Sequence, residues 1–211
     1  MTKFRPDLGA DLISAILLAA GQSKRMGRTK QLLKFGKSTI VEETVRELLG
    51  SSVDELVVVL GHDADKLKAS IDSDNKRIRF TVNKDYRSGI GSSIRCGVLS
   101  ASSDSVAFLI ALADQPLIKS GIIDLLIRSY RSSGVGIVVP TYKGVNGHPV
   151  IMAKKYYNEL IALRGDVGAR QLLKDHQEDA LLVEVDAPEI LLDIDREDDY
   201  ARIRNRLPNS A

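Results

Sequence analysis

A chain of 211 residues, 44% hydrophobic and 27% charged, is long enough to bury one substantial core and too apolar to be disordered or fibrous. A formal charge of +2 excludes the broad basic field of a nucleic-acid binder, and no apolar stretch reaches membrane-spanning length. The single cysteine, Cys96, cannot close an intrachain disulfide, so a reducing compartment, the cytoplasm, is expected, with neither nucleic acid nor membrane as a partner.

Residues 13–19 read as a first buried strand. The run ends in small residues, as a secretory signal does, but acidic Asp7 and Asp11 stand where a signal carries positive charge. A glycine-rich loop follows, with the one local cluster of cations, Lys24, Arg25, Arg28 and Lys30. Over 39–49 the residues Ile40, Val41, Thr44, Val45 and Leu48 share one helical face. A strand is expected over 56–60, a helix over 63–71, a strand over 78–82, and a helix over 92–99 entered through Ser88-Gly89-Ile90-Gly91.

Residues 106–112 form the most apolar strand, and Pro116 turns the chain outward after Asp114-Gln115. A helix over 121–130, strands over 136–140 and 148–152, and helices over 156–163 and 167–175 come next. Short strands over 181–185 and 190–194 and a closing helix over 196–206 complete the pattern. Strands alternating with helices predict a doubly wound α/β fold with a mostly parallel sheet. No repeat or linker divides it, so one domain over 1–211 with a core of about 12–206 is expected.

The loop Leu18-Ala19-Ala20-Gly21-Gln22-Ser23-Lys24-Arg25-Met26-Gly27, followed by Lys30, has the composition of an anion cradle. Small residues let backbone amides approach a ligand, and Arg25 and Lys30 supply charge for a triphosphate. The spacing matches neither the P-loop nor the dinucleotide fingerprint. Glycine and charge alone fit a solvated basic turn equally well.

Asp114, at the carboxyl end of an apolar strand, stands where open α/β sheets bind ligands, and its carboxylate suits Mg²⁺. Hydrogen bonding to the Pro116 turn is the other use of an aspartate there. Asp193 and Asp195 would share a face of an extended strand and add a carboxylate to the metal; Asp195 alternatively caps the last helix. Ser92 and Ser93 either cap their helix or contact ligand. Arg170 can meet a phosphate or pair with Asp166 one helical turn away. Cys96 reads as a small packed residue.

These residues together resemble the nucleotidyltransferases with the signature Leu-x-x-Gly-x-Ser-x-Arg-Met-Gly-x-x-Lys, and among them the molybdopterin cytidylyltransferases. The likeness runs from 18–33 through the 83–97 segment with Gly89-Ile90-Gly91-Ser92-Ser93, Ala113-Asp114-Gln115-Pro116, Gly147-His148-Pro149-Val150, Gly165-Asp166-Val167-Gly168-Ala169-Arg170 and Asp193-Ile194-Asp195 before Asp198-Asp199-Tyr200. The family often has Gly-Met at Gly89-Ile90 and proline at Lys34.

The resemblance implies a three-layer α/β/α fold of the nucleotide-diphospho-sugar transferase type, with Mg²⁺ as cofactor. It further implies an NTP, here CTP, and molybdopterin as the phosphorylated acceptor, with a molybdoenzyme or its chaperone as a partner. It places Leu18, Ala19, Ala20, Gly21, Ser23, Arg25, Gly27 and Lys30, together with Asn83, Gly91, Ser92, Ser93 and Asp114, around the nucleotide. Arg25, Lys30 and Asp114 carry the catalytic assignment. Gln115, His148, Asp166 and Arg170 fall to the acceptor, and Asp114, Asp193 and Asp195 to the metal. His148 is not assigned a proton, because a phosphate nucleophile needs positioning and charge neutralisation rather than a base.

Overall fold

A computed structural model describes residues 11–71 and 74–204. Asp7 and positions 205 and 206 of the expected core and closing helix lie outside the described residues.

Strand β1 (Leu12–Ala19) is followed by a hairpin of β2 (Lys34–Phe35) and β3 (Ser38–Thr39), helix α1 (Ile40–Gly50) and strand β4 (Glu55–Leu60). Helix α2 (Ala64–Ser70), strand β5 (Ile78–Val82) and helix α3 (Ile90–Ser100) close the first half. The second half runs through β6 (Ser105–Leu112), α4 (Ser120–Ser133), β7 (Ile137–Tyr142), β8 (Val145–Asn146) and β9 (Val150–Ala153). It ends with α5 (Tyr157–Ala162), α6 (Ala169–Asp175), β10 (Ala180–Glu184) and α7 (Glu197–Arg204).

The main sheet is ordered β10-β7-β9-β6-β1-β4-β5, with β8 on β7. Its pairings are parallel except those made by β9 and β8. Strand β1 lies inside the sheet, between β6 and β4, and its almost wholly apolar side chains are covered on both faces, as a parallel sheet requires. On one face Ile13, Ala15 and Leu17 pack with Val41, Val45, Leu48, Leu67, Leu126 and Ile127 of α1, α2 and α4. On the other, Ile16 and Leu18 pack with Ile94, Val98, Leu160 and Leu172 of α3, α5 and α6. The result is the expected three-layer α/β/α architecture.

Helix α1 begins where the sequence supplies a full cap: the Thr39 hydroxyl accepts from the Glu42 amide at 3.3 Å while the Glu42 carboxylate accepts from the Thr39 amide at 2.5 Å. Chain order steps from β1 outward to β4 and β5, then returns to the opposite side of β1 with β6. The reversal opens a crevice at the carboxyl ends of β1 and β6. A third, smaller cluster of Met26, Phe35, Ile40, Ile194 and Ile203 ties the loop after β1 to the C-terminal segment.

Several expectations need correction. Residues 190–194 do not form a strand: Pro188–Leu191 is a 3₁₀ turn, since Pro188 fixes a turn start and lacks the amide a ladder needs. Neither Ser92 nor Ser93 caps α3, which starts at Ile90 with Gly89 as its N-cap at a φ of +107°. Helix α6 starts at Ala169, so Asp166 lies in the preceding loop and the one-turn spacing to Arg170 is not realised. The hairpin β2–β3 was not foreseen, its strands being too short to show a period.

Candidate active site

The chain leaves β1 through Ala20 and Gly21 and turns tightly, with the amides of Met26 and Gly27 donating to the Ser23 carbonyl at 3.0 and 3.2 Å. Ser23 and Gly27 have positive φ, 49° and 64°; the turn winds the loop back toward the sheet. Ser23 Oγ accepts from the Lys30 amide at 3.1 Å. Met26 is pinned in the third cluster, and Arg28 makes a bidentate pair with Glu197 of α7. These two contacts fix the later part of the loop, and neither residue lines the crevice.

Lys30 turns inward. Its ammonium donates to Asp114 Oδ2 at 2.6 Å and to Asp195 Oδ1 at 2.9 Å, while Arg25 reaches the other oxygen of Asp195 at 2.7 Å. Burial alone would lower the lysine pKa; the charges and hydrogen bonds of the two carboxylates more than offset it and raise the value. Asp195 is held below the usual carboxylate range, first by its hydrogen bond to Lys30. Its side chain therefore serves the loop cations, and it is Asp199 that accepts from the amides of Asp195 and Arg196 at the start of α7. The Asp114 carboxylate meets Lys30, and its Oδ1 is buried without a hydrogen-bond partner among the described residues.

A cleft of about 660 Å³ opens over this network. Leu18, Ala20, Gly21, Ser23, Arg25, Lys30, Ser93, Asp114, Asp166 and Asp195 line it. Sequence reasoning missed Tyr86 and Arg87 on its wall, where the Arg87 guanidinium lies 5.6 Å from the Tyr86 ring centroid. An aromatic and a cation just before a glycine-rich helix entry were the available signal.

Other expected residues stand behind the cleft. Ala19 is fully buried in β1. Asn83 donates to Ser92 Oγ at 2.8 Å and Ser93 Oγ at 3.1 Å, so the three tie β5 to the start of α3. Gly91 donates to the Gly165 carbonyl at 3.0 Å, and a Cβ there would come within 2.9 Å of the Arg164 amide nitrogen. Its smallness lets the 163–168 loop carry Asp166 to the rim. Gln115 is 2% exposed and donates to Asp193 Oδ1 at 2.6 Å and to the Ile190 carbonyl at 3.3 Å. Desolvation of its carboxyl, although the residue as a whole is exposed, and then the charge of Asp114 raise the pKa of Asp193 to about 6. Burial lowers the pKa of His148, with the charge of Asp114 opposing and that of Arg170 adding to it. An imidazole so placed stays neutral.

Residues 15–180 match the family described as the MobA-like NTP transferase domain. The chain belongs to this family. It is 26% identical over 196 residues to the molybdenum cofactor cytidylyltransferase of Escherichia coli K12, covering 92% of this chain and 96% of that protein. It is 31% identical over 177 residues to the nicotine blue oxidoreductase of Paenarthrobacter nicotinovorans, covering 80% and 84%. A crystal structure of Rv0371c from Mycobacterium tuberculosis H37Rv matches with a TM-score of 0.82 at 27% identity, over 93% of this chain and 99% of that one. A manganese complex of Rv0371c matches with a TM-score of 0.75 at 25% identity over the same shares. The chain is a nucleotidyltransferase of the MobA-like family, with the α/β fold of its solved neighbours.

For a MobA-like transferase the fit of a divalent cation can be tested on the acidic residues themselves. Among the described residues no three acidic, histidine or cysteine side chains gather at metal-ligating spacing. Asp193 is turned to Gln115, whereas Asp114 and Asp195 converge on one cation, the Lys30 ammonium. The unpartnered Oδ1 of Asp114 supplies a further hard oxygen. Two carboxylates fit Mg²⁺, which commonly takes one or two and fills its octahedron with phosphate oxygens and water.

Proposed function

We propose that this MobA-like transferase moves CMP from CTP to the terminal phosphate of a molybdopterin acceptor, releasing pyrophosphate, with Mg²⁺ as the required cation. The observation that carries this reading is the meeting of Arg25, Lys30, Asp114 and Asp195 at the carboxyl ends of β1 and β6. Likeness to a molybdenum cofactor cytidylyltransferase supports the nucleotide and acceptor, and the manganese complex of Rv0371c supports a divalent cation.

The backbone of 21–27 cradles the triphosphate, and Arg25 and Lys30 neutralise its charge. Asp114 and Asp195 hold Mg²⁺ at the cleft floor. Bound there, the ion offsets charge on the phosphate oxygens and orients them. An acceptor phosphate oxygen forms a bond to the α-phosphorus as the bond from that phosphorus to the bridging oxygen breaks, and pyrophosphate leaves. No proton has to be removed from the nucleophile, which agrees with a buried, neutral His148. Asp166 lines the cleft, and it and Arg170, at the start of α6, are assigned to the acceptor by the family motif. Gln115 acts through Asp193, holding the C-terminal segment in place.

Pyrophosphate release measured with molybdopterin, with CTP or GTP, and with Mg²⁺ or a chelator tests the reading. Release that needs CTP, acceptor and Mg²⁺ is expected. An equal or larger kcat/KM with GTP would overturn the choice of nucleotide, and release that ignores molybdopterin would overturn the acceptor.

A further inference from the structure

The Lys30 side chain is 10% exposed, although it lies in a loop whose neighbouring cation, Arg25, is 66% exposed. A lysine serving only an incoming triphosphate would extend into the cleft as Arg25 does. Lys30 is instead drawn down between the side chains of Asp114 and Asp195, in contact with both. Without a cation between them, two carboxylates sharing one point would repel each other in a partly desolvated site. The loop thus brings its own positive charge to the place where two acids converge.

We propose that Lys30 is the resident counter-cation of the Asp114–Asp195 pair and is exchanged for the divalent ion when a triphosphate draws the ammonium upward. The inference rests on the assignment of that pair to the metal. Lys30 is then a resident counter-charge as well as a phosphate contact: it offsets the two carboxylates until the metal enters. Asp195 is released by Arg25 in the same step, since both cations share that carboxylate and both have the triphosphate as a stronger partner. Metal alone has to displace an ammonium in direct contact with both its ligands, and so binds weakly. Metal with triphosphate binds well, because the displaced cations have somewhere to go. Coupling of this kind is reciprocal: each ligand tightens the other by the same factor.

The test is Mn²⁺ binding without nucleotide, read from the paramagnetic signal of the free ion, in the wild-type protein and in Lys30→Met. Methionine keeps an unbranched stem and removes the charge. The variant is expected to bind Mn²⁺ more tightly by about five- to 150-fold, the usual span of a coupling between sites. Adding Asp114→Asn to the variant should abolish that gain, which assigns the ion to this pair. Equal or weaker Mn²⁺ binding in Lys30→Met, or a gain that survives Asp114→Asn, overturns the proposal.

If the methionine variant does not fold, the wild-type protein supplies the answer. Saturating Mn²⁺ should raise the acylation rate of the Lys30 amine relative to the other lysines, and an unchanged rate overturns the proposal. Failure of the transferase reading is separate. Absence of pyrophosphate release with these Mn²⁺ results would remove the reaction and leave the counter-cation in place. Normal wild-type release with no gain in Lys30→Met would do the reverse.

Discussion

The amide of Ile194 donates to the carbonyl of Asp114 at 3.1 Å, joining the C-terminal segment to the end of β6 by backbone alone. Ile194 is fully buried beside Met26, which belongs to the loop after β1. Three stretches far apart in the chain therefore meet at one point: the loop carrying Arg25 and Lys30, the strand end carrying Asp114, and the segment carrying Asp193 and Asp195. Their common anchor is apolar, so the site's charges are positioned by packing that the charges themselves do not provide.

Gln115 is the polar part of that anchor. Replacing it by leucine removes the donor to Asp193 and to the Ile190 carbonyl and should cost about 1–3 kcal/mol in urea unfolding, with an unchanged slope. A loss below about 0.5 kcal/mol, the level of an ordinary surface change, would show that Gln115 does not hold the segment.

Gly89 and Gly134 both have positive φ, +107° and +72°, but only Gly89 is crowded. A Cβ on Gly89 would overlap the Gly165 carbonyl and stand 2.7 Å from the Asp166 amide nitrogen; around Gly134 nothing lies within 4 Å. Gly134→Ala should cost about 1–2 kcal/mol, the strain of a left-handed residue. Gly89→Ala should cost at least about 3 kcal/mol, strain and overpacking together, and should displace the Asp166 loop. Equal thermal shifts for the two variants would contradict this account.

Much of the fold was legible because β1, β4 and β6 are nearly uninterrupted apolar runs, and a strand covered on both faces leaves that trace. The 190–194 stretch misled for the same reason. Ile190 and Ile194 are apolar to fill two separate pockets, one under His148 and one beside Met26, and not to alternate along a strand. In the site, the identities of Arg25, Lys30, Asp114 and Asp195 were readable from motifs, while their mutual contacts were not. Lys30 and Asp114 are 84 residues apart, and Gln115 and Asp193 are 78 apart; no local spacing encodes such pairs. Arg87, although within the 83–97 stretch of likeness, was not singled out because it reaches the cleft only through the turn that precedes α3.

A pH dependence should come from His176, at the end of α6. Its Nε2 lies 2.7 Å from Glu159 Oε2, its ring centroid is 4.7 Å from that of Tyr156, and Asp175 and Glu178 add negative charge nearby. The hydrogen bond to Glu159, then these charges, raise its pKa above the ordinary 6.5. A raised folded-state value means the protonated form is favoured by folding, so this contribution is complete below 6.5 and fades as pH rises through the folded value. Stability of the wild type relative to His176→Gln should be largest in mild acid and shrink on the alkaline side. A difference that grows with pH would mean that the pair is not charged.

Asp114→Asn bears most directly on the reaction. Asparagine keeps the shape and can still accept from the Lys30 ammonium, and the backbone bonds from Ile194 to Asp114 and from Ala113 to Leu18 are untouched. What disappears is one of the two negative charges that meet at the Lys30 ammonium. The buried Oδ1 position would receive an amide group with no partner among the described residues, so a stability loss of about 1–3 kcal/mol is expected. If Asp114 holds the metal, turnover per folded molecule should fall on the order of a hundredfold or more, as when a major electrostatic contact of the transition state is removed. A residue that served the Pro116 turn alone would lose stability without losing turnover. That use finds no support in the geometry, because the carboxylate meets Lys30 and not the turn. Urea unfolding and Mg²⁺-dependent pyrophosphate release on one preparation separate the two effects, and near-normal turnover at an unchanged Mg²⁺ requirement would remove Asp114 from the metal site.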